Sequence, residues 1–256
     1  MIHPQAIIDP SANLADDVSV GAFSIIGADV EIGAGTVIDS HVVINGPSHI
    51  GRDNHIYSFA AIGGDPQDKK YAGEPTTLEI GDGNTLREYV TISRGTKQDV
   101  GVTRLGNNNW IMAYVHIAHD CQIGSETIFA NSATLAGHVT IEDHAILGGF
   151  SLVHQFCRIG AHCFTAMNSV ISKDVLPFTM VSGHMAAPHG LNTEGLKRRG
   201  FSSEALSQLR KAYKIIYRSN LTLEQAMVEL QPMTEDCAEV GQLLGFLKNV
   251  SRGIVR

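Results

Sequence analysis

From Ile8 onward, every sixth residue is a branched aliphatic: Ile8, Leu14, Val20, Ile26, Ile32, Ile38, Ile44, Ile50, Ile56 and Ile62. Ile, Leu and Val make up about a quarter of the chain, so ten in succession arise by chance about once in a million trials. Four residues after most anchors stands a small or compact side chain, as at Ala12, Ser24, Thr36, Ser48, Asn54 and Ala60. The period resumes at Ile80, Leu86 and Ile92, then runs unbroken from Leu105 to Ile171, where only Phe129 and Thr165 depart from the aliphatic rule. A period of six excludes an amphipathic helix, whose stripe recurs every three to four residues. Simple two-residue alternation would fill many more positions. The pattern predicts a short strand, a turn and another short strand, three such units closing one triangular coil with each anchor pointing into the prism. Hexapeptide repeats of this kind read as a parallel β-helix. Because one coil cannot bury its apolar side alone, stacked coils share a continuous core, about 4.8 Å apart by ordinary strand pairing.

Two stretches, Gly64 to Thr77 and Ser93 to Arg104, break the period and are rich in Gly, Pro and charge. They are expected to be loops thrown out from coil corners, where a rigid scaffold often carries function. After Ile171 the six-residue pattern ends, and Pro177, Pro188 and Gly190 mark a connecting stretch. From about Asn192 the spacing becomes helical, through Leu196, Ala205, Leu206, Leu209, Ala212, Tyr213 and Ile216. Ser202 or Ser203 is the expected N-cap, and Thr222–Gln225 has the form of a capping box. The expected division is thus a β-helix over 1–190 and an α-helical domain over 191–256 that covers the last coil's open edge.

Composition narrows the function. The net charge of −7 speaks against general nucleic-acid affinity, which needs a positive face. No run approaches the roughly 18 apolar residues of a membrane span. Met1–Pro4 lacks the basic and apolar segments of a signal peptide. Cys121, Cys157, Cys163 and Cys237 form no C-x-x-C pair, as expected of reduced thiols in a cytoplasmic protein.

Eighteen residues per coil means that residues 18 apart lie above one another. His119, Gly137 and Gln155 then form one column, and Asp120, His138 and Phe156 the next. His154 stacks over Ala136 and Ala118, and His116 lies three residues before His119. Four of the twelve histidines therefore gather on one edge of the prism. His144 and His162, also 18 apart, read as a structural stack, and the others as surface residues. A catalytic zinc site would need three ligands and an open position. Zinc β-helix hydratases use a histidine pair at five-residue spacing, which the clustered four lack, so no metal is expected.

The segments His116-Ile117-Ala118-His119-Asp120-Cys121, Leu135-Ala136-Gly137-His138-Val139 and His154-Gln155-Phe156-Cys157 resemble the UDP-N-acetylglucosamine acyltransferases of lipid A biosynthesis. So do Gln67 to Pro75 and Asn192 to Gly200, and the match runs essentially the full length. The resemblance implies a left-handed prism and a homotrimer. It implies transfer of an (R)-3-hydroxyacyl group from acyl carrier protein to the 3-hydroxyl of UDP-N-acetylglucosamine. No cofactor of the enzyme's own is implied, since the donor rides on the carrier's phosphopantetheine. His119 takes the place of the general base, a role that suits imidazole, with Asp120 orienting it and the Gly137 N–H facing the developing oxyanion. His116, His138, His154 and Gln155 resemble ligands of the sugar nucleotide. Asp68 and Lys70 are implied to reach it across a subunit boundary, Asn192 and Glu194 to meet the nucleotide, and Arg198 and Arg199 the phosphate region or the carrier. Met167, two residues after Thr165, matches the position of a hydrocarbon ruler. Met in place of Gly there implies a shorter donor, 3-hydroxydecanoyl. Between Gly195 and Arg218 stand seven Lys or Arg and one carboxylate, Glu204, which suits steering of an acidic carrier.

The hexapeptide anchors alone are shared with other classes. A coenzyme A-dependent or N-acylating relative is one alternative, although N-acyltransferases usually carry an extra N-terminal domain and these repeats begin by Ile8. A non-enzymatic β-helix scaffold is another; ice-binding faces are flat and Thr-rich, whereas this edge carries His and Asp.

Overall fold

The computed structural model describes residues 1–256 as a left-handed parallel β-helix closed at one end by helices. Most strands are only two residues long, and in these the second residue is the inward anchor. Ile26, Ile44, Ile62, Ile92 and Ile117 are buried to 1% exposure or less. The strands form three parallel sheets, the faces of the prism. The first face runs from Ile7–Ile8 to Val170–Ile171, and the second from Asn13–Leu14 to Arg158–Ile159. The third runs from Ser19–Val20 through Phe164–Thr165. Pairings such as His116 with Thr134 and Leu152 with Val170 show the register of 18. The two departures from the aliphatic rule are accommodated: Phe129 is fully buried, and Thr165 bonds Ser151 Oγ at 2.7 Å inside the core.

At the corner between the second and third faces, buried Asn54, Asn84 and Asn109 form a ladder. Asn84 Nδ2 donates to Asn54 Oδ1 at 3.0 Å, and Asn109 Nδ2 donates to Asn84 Oδ1 at 2.9 Å. Buried polar groups persist only when so paired. The corner between the third and first faces carries a different column, with Phe23, His41, Phe59, Tyr89 and Tyr114 stacked 4.8–5.1 Å apart.

Both interruptions leave the prism between a first-face and a second-face strand. Their ends are more regular than the broken period suggests. Ala61–Gly64, Thr77–Ile80, Thr91–Ser93 and Val102–Leu105 are strands of three or four residues, with Thr77 to Ile80 paired against Val102 to Leu105. Gly64, Thr77, Ser93 and Val102–Arg104 therefore belong to the sheets, and the excursions proper are 65–76 and 94–101. Longer pairing at the loop bases satisfies backbone groups that a two-residue strand would leave to the loops.

Beyond the last coil, Thr179–Ser182 pairs antiparallel with Ala187–Leu191. Four helices follow: α1 (Thr193–Arg198), α2 (Ser203–Arg218), α3 (Leu223–Leu230) and α4 (Ala238–Leu247). Ser202 caps α2 by accepting from Ala205 N, and Thr222 with Gln225 closes the capping box of α3. Leu206, Leu209, Ala212 and Ile216 on α2 meet Leu243, Leu244 and Leu247 on α4 over Leu176 and Phe178 of the prism end. Arg158 docks the two parts, donating to Asn249 O and Glu142 and lying 4.4 Å over the Phe246 ring. The chain then returns to the prism: Ile254 bridges Asp174, and Val255 enters the prism core. No helix is long and apolar enough to cross a membrane.

Candidate active site

Ala118–Cys121, Ala136–Val139 and His154–Cys157 are three successive turns of the corner between the first and second faces. They are stacked by His138 N donating to His119 O at 3.0 Å and Phe156 N donating to Gly137 O at 3.2 Å. The third residue of each turn has a positive φ: 58° at Asp120, 64° at His138 and 65° at Phe156. A non-glycine residue there costs about 1–2 kcal/mol, offset by column packing. His138 stacks on Phe156 at 4.4 Å, and its ring meets that of His119 edge-on at 4.9 Å.

His119 Nδ1 lies 2.9 Å from Asp120 Oδ2. An ionised carboxylate only accepts, so the contact places the ring proton on Nδ1 and leaves Nε2 as the acceptor. Asp120 is 1% exposed. Burial pushes its carboxyl upward, but hydrogen bonds from His119 and Thr96 outweigh that, so it sits below the usual carboxylate range. His116 Nδ1 lies 2.7 Å from Thr91 Oγ1. Burial, then the neighbouring His119, pushes the His116 imidazole below its usual value, which favours a neutral ring.

His116, His119, Gly137 and His154 line one cleft of about 550 Å³ on the first face. Gly137 approaches the His119 ring so closely that a Cβ would lie 2.6 Å from Cε1 and 2.8 Å from Nε2. Its N–H makes no hydrogen bond within the chain and is free to donate. His138 packs beside the dyad without lining the cleft. Gln155 is exposed at the same corner.

Other residues singled out from the sequence lie elsewhere. Asp68 accepts from Lys70 N at 2.9 Å in a local turn, and neither lines the cleft; Gln67 of that loop does. Asn192 and Arg199 are tied to the opposite corner, between the second and third faces. Asn192 caps α1 and donates to His162 O at 3.0 Å; Arg199 donates to His144 O at 2.7 Å. His144 and His162 stack there at 4.6 Å. Burial, then His144 and Arg199, brings His162 down to about 4. Glu194 pairs with Lys197 at 2.9 Å, and Arg198 is exposed. Met167 is 74% exposed on the third corner. A single chain thus does not gather Asp68, Lys70, Asn192, Glu194, Arg198, Arg199 or Met167 at the histidine cleft.

The second loop, expected from the broken period, brings residues to the site that the sequence did not single out. Thr96 and Asp99 contact Asp120 and His138, and Arg94, 7% exposed, clamps the first loop through Gly63 O, Asp65 and Tyr71. One signal was available. Both interruptions fall between a first-face and a second-face anchor, as His119 does between Ile117 and Ile123.

Three larger clefts lie along the second face and beside α4, each of about 690 Å³, and between α3 and α4, of about 660 Å³. None holds an imidazole oriented by a buried carboxylate beside a free backbone N–H, so chemistry rather than size selects the His119 cleft. His119, Asp120 and His138 offer ligand atoms within 4.8 Å of one another, a spacing a cation could use. Those atoms are already engaged: Asp120 Oδ2 with His119 and Thr96, and His138 Nδ1 with Asp99 Oδ2 at 2.6 Å. The arrangement suits proton transfer.

The family model described as UDP-N-acetylglucosamine O-acyltransferase, domain 2, matches residues 174–255. That of bacterial transferase hexapeptide repeats matches 103–137. The chain is 60% identical to the acyl-[acyl-carrier-protein]–UDP-N-acetylglucosamine O-acyltransferase of Thiobacillus denitrificans, covering 100% of this chain and 99% of the relative. Its identity to the Herminiimonas arsenicoxydans enzyme of the same name is 57%, with the same coverage. Among solved structures, the UDP-N-acetylglucosamine O-acyltransferase of Moraxella catarrhalis superposes with a TM-score of 0.98 at 48% identity, over 100% of this chain and 99% of that one. The Francisella novicida UDP-N-acetylglucosamine acyltransferase gives 0.98 at 43%, over 100% and 94%.

Proposed function

The chain belongs to the acyl-[acyl-carrier-protein]–UDP-N-acetylglucosamine O-acyltransferase family, and on that premise we propose that His119 is the general base of its transfer reaction. The protein is an acyltransferase that moves an acyl group from acyl carrier protein to UDP-N-acetylglucosamine in lipid A biosynthesis. In the proposed mechanism the 3-hydroxyl of the sugar gives its proton to His119 Nε2 as its oxygen attacks the thioester carbonyl carbon. The Gly137 N–H meets the oxyanion. Collapse breaks the C–S bond, and the imidazolium returns the proton to the departing pantetheine thiolate. Asp120 stabilises the imidazolium and holds the ring. General-base help of this kind contributes about 10²–10⁴ in rate.

The observation that carries the reading is the His119–Asp120 contact at 2.9 Å beside the unbonded Gly137 amide. His119→Ala, assayed with acyl carrier thioester and UDP-N-acetylglucosamine, is expected to lose at least 10²-fold in kcat. Near-normal turnover would end the assignment.

The same reading makes His116, His138, His154 and Gln155 ligands of the sugar nucleotide. Asp68 and Lys70 reach it across a subunit boundary of a cytoplasmic trimer, Asn192 and Glu194 meet the nucleotide, and Arg198 and Arg199 meet the phosphate region or the carrier. The basic stretch from Lys197 to Arg218 receives the acidic carrier. The acyl group is (R)-3-hydroxyacyl, with Met167 limiting it to 3-hydroxydecanoyl.

A further inference from the structure

We propose that Thr96 is a positioning residue of the transfer reaction, holding Asp120 so that His119 presents Nε2 to the acceptor hydroxyl; this rests on the reading of His119 as the base. Thr96 is fully buried in the second loop. Its N–H reaches both carboxylate oxygens of Asp120, at 2.9 and 3.1 Å, and its Oγ1 donates to Oδ2 at 2.6 Å. A backbone N–H alone would leave the carboxylate free to swing about its Cβ–Cγ bond. The hydroxyl adds a second direction and fixes the plane.

The oxygen that Thr96 Oγ1 engages is the one that accepts from His119 Nδ1. Moving the threonine therefore moves the atom that sets the ring's direction and tautomer. From the other side, Asp120 N donates to Thr103 Oγ1 at 2.8 Å, so side chain and backbone of the aspartate are both pinned from outside its own coil. The donors also keep the charge in place, since they and His119 together outweigh the effect of burial on the Asp120 carboxyl.

The loop that delivers Thr96 is itself tied down. Arg94 grips the Gly63 carbonyl, Asp65 and the Tyr71 hydroxyl. Gly95 N donates to Thr77 O at 3.1 Å, and Lys97 pairs with Glu74 at 2.6 Å. Asp99 of the same loop holds His138 Nδ1. The first loop, which carries Asp68 and Lys70, is thereby joined mechanically to the dyad.

The test is Thr96→Val, which keeps the shape and removes the hydroxyl, beside Thr96→Ser, which keeps the hydroxyl. Thr96→Val is expected to lose about tenfold or more in kcat, the worth of a hydrogen bond to a charged group. KM for both substrates should stay within about twofold, because no substrate contact is lost. The acid limb of the kcat/KM profile should move to higher pH, because Asp120 loses one of the donors that hold its carboxyl below the usual carboxylate range. Thr96→Ser should restore both. In an Asp120→Asn background, Thr96→Val should cost nothing more.

A Val variant with native kcat and an unmoved acid limb would overturn the proposal, as would losses that simply add in the double variant. If Thr96→Val does not melt cooperatively, Thr96→Ala carries the same comparison. The two readings separate cleanly: an active His119→Ala removes the base assignment, whereas an inactive His119→Ala beside a normal Thr96→Val removes only the role of Thr96.

Discussion

Gly137 is the residue at which chemistry leaves no room for a side chain. Its missing Cβ would meet three ring atoms of His119, at 2.6, 2.8 and 3.1 Å. That ring cannot retreat easily, because Asp120 holds Nδ1 and the His138 ring packs against it at right angles. Gly137→Ala is therefore expected to displace the imidazole by a sizeable fraction of an ångström. Misplacement on that scale costs about 10²-fold in rate. Steady-state kcat should fall by that order while the melting temperature stays close to native; unchanged turnover would mean the ring is free to shift. This glycine was legible in the sequence, since adding 18 to 119 puts it one coil on in the same column. The Thr96 and Asp99 contacts were not. They span 24 and 39 residues through an aperiodic loop, whose path no repeat dictates.

At the scale of elements, a two-residue strand contributes little by itself, and its stability comes from the coils above and below. The asparagine ladder shows how buried corner positions take part in that stacking. Asn84 accepts from Asn109 N and Nδ2 and donates to Asn54 Oδ1 and Gly81 O. Asn84→Ala would strand the Asn109 backbone N–H and one Nδ2 hydrogen in the interior, each worth about 1–3 kcal/mol, while Asn54 Oδ1 keeps its bond from the backbone N–H of residue 84. A loss of about 3 kcal/mol or more is expected from the urea midpoint, against less than about 0.5 kcal/mol for an exposed turn substitution. A loss no greater than the exposed control would show that water enters the corner. Sequence periodicity marks these positions as compact, as at Asn54, but not as a hydrogen-bonded ladder, because side-chain partners follow from corner geometry. The helical caps are the opposite case. Ser202 and the Thr222–Gln225 box involve residues three apart, so local spacing suffices to foresee them.

On the scale of the whole molecule, the three corners of one prism carry different parts of the proposed site. The base stands at the first, Asn192 and Arg199 are moored at the second, and Met167 projects at the third. Threefold packing of copies would bring unlike corners together, so the ruler is a claim about the assembly. Met167→Gly is expected to raise kcat/KM for donors two to four methylenes longer by about tenfold or more, at roughly 0.8 kcal/mol per buried methylene. Competition assays between 3-hydroxydecanoyl and longer carrier thioesters read this directly; an unchanged ratio would leave Met167 as a packing residue only. The six-residue period alone determined the prism, its 18-residue columns and the gathering of four histidines at one edge, because a stacked solenoid converts sequence separation into spatial position. Only the tertiary structure decided which groups hold the dyad in place, since the loops leave that lattice and find their partners through the course of the backbone.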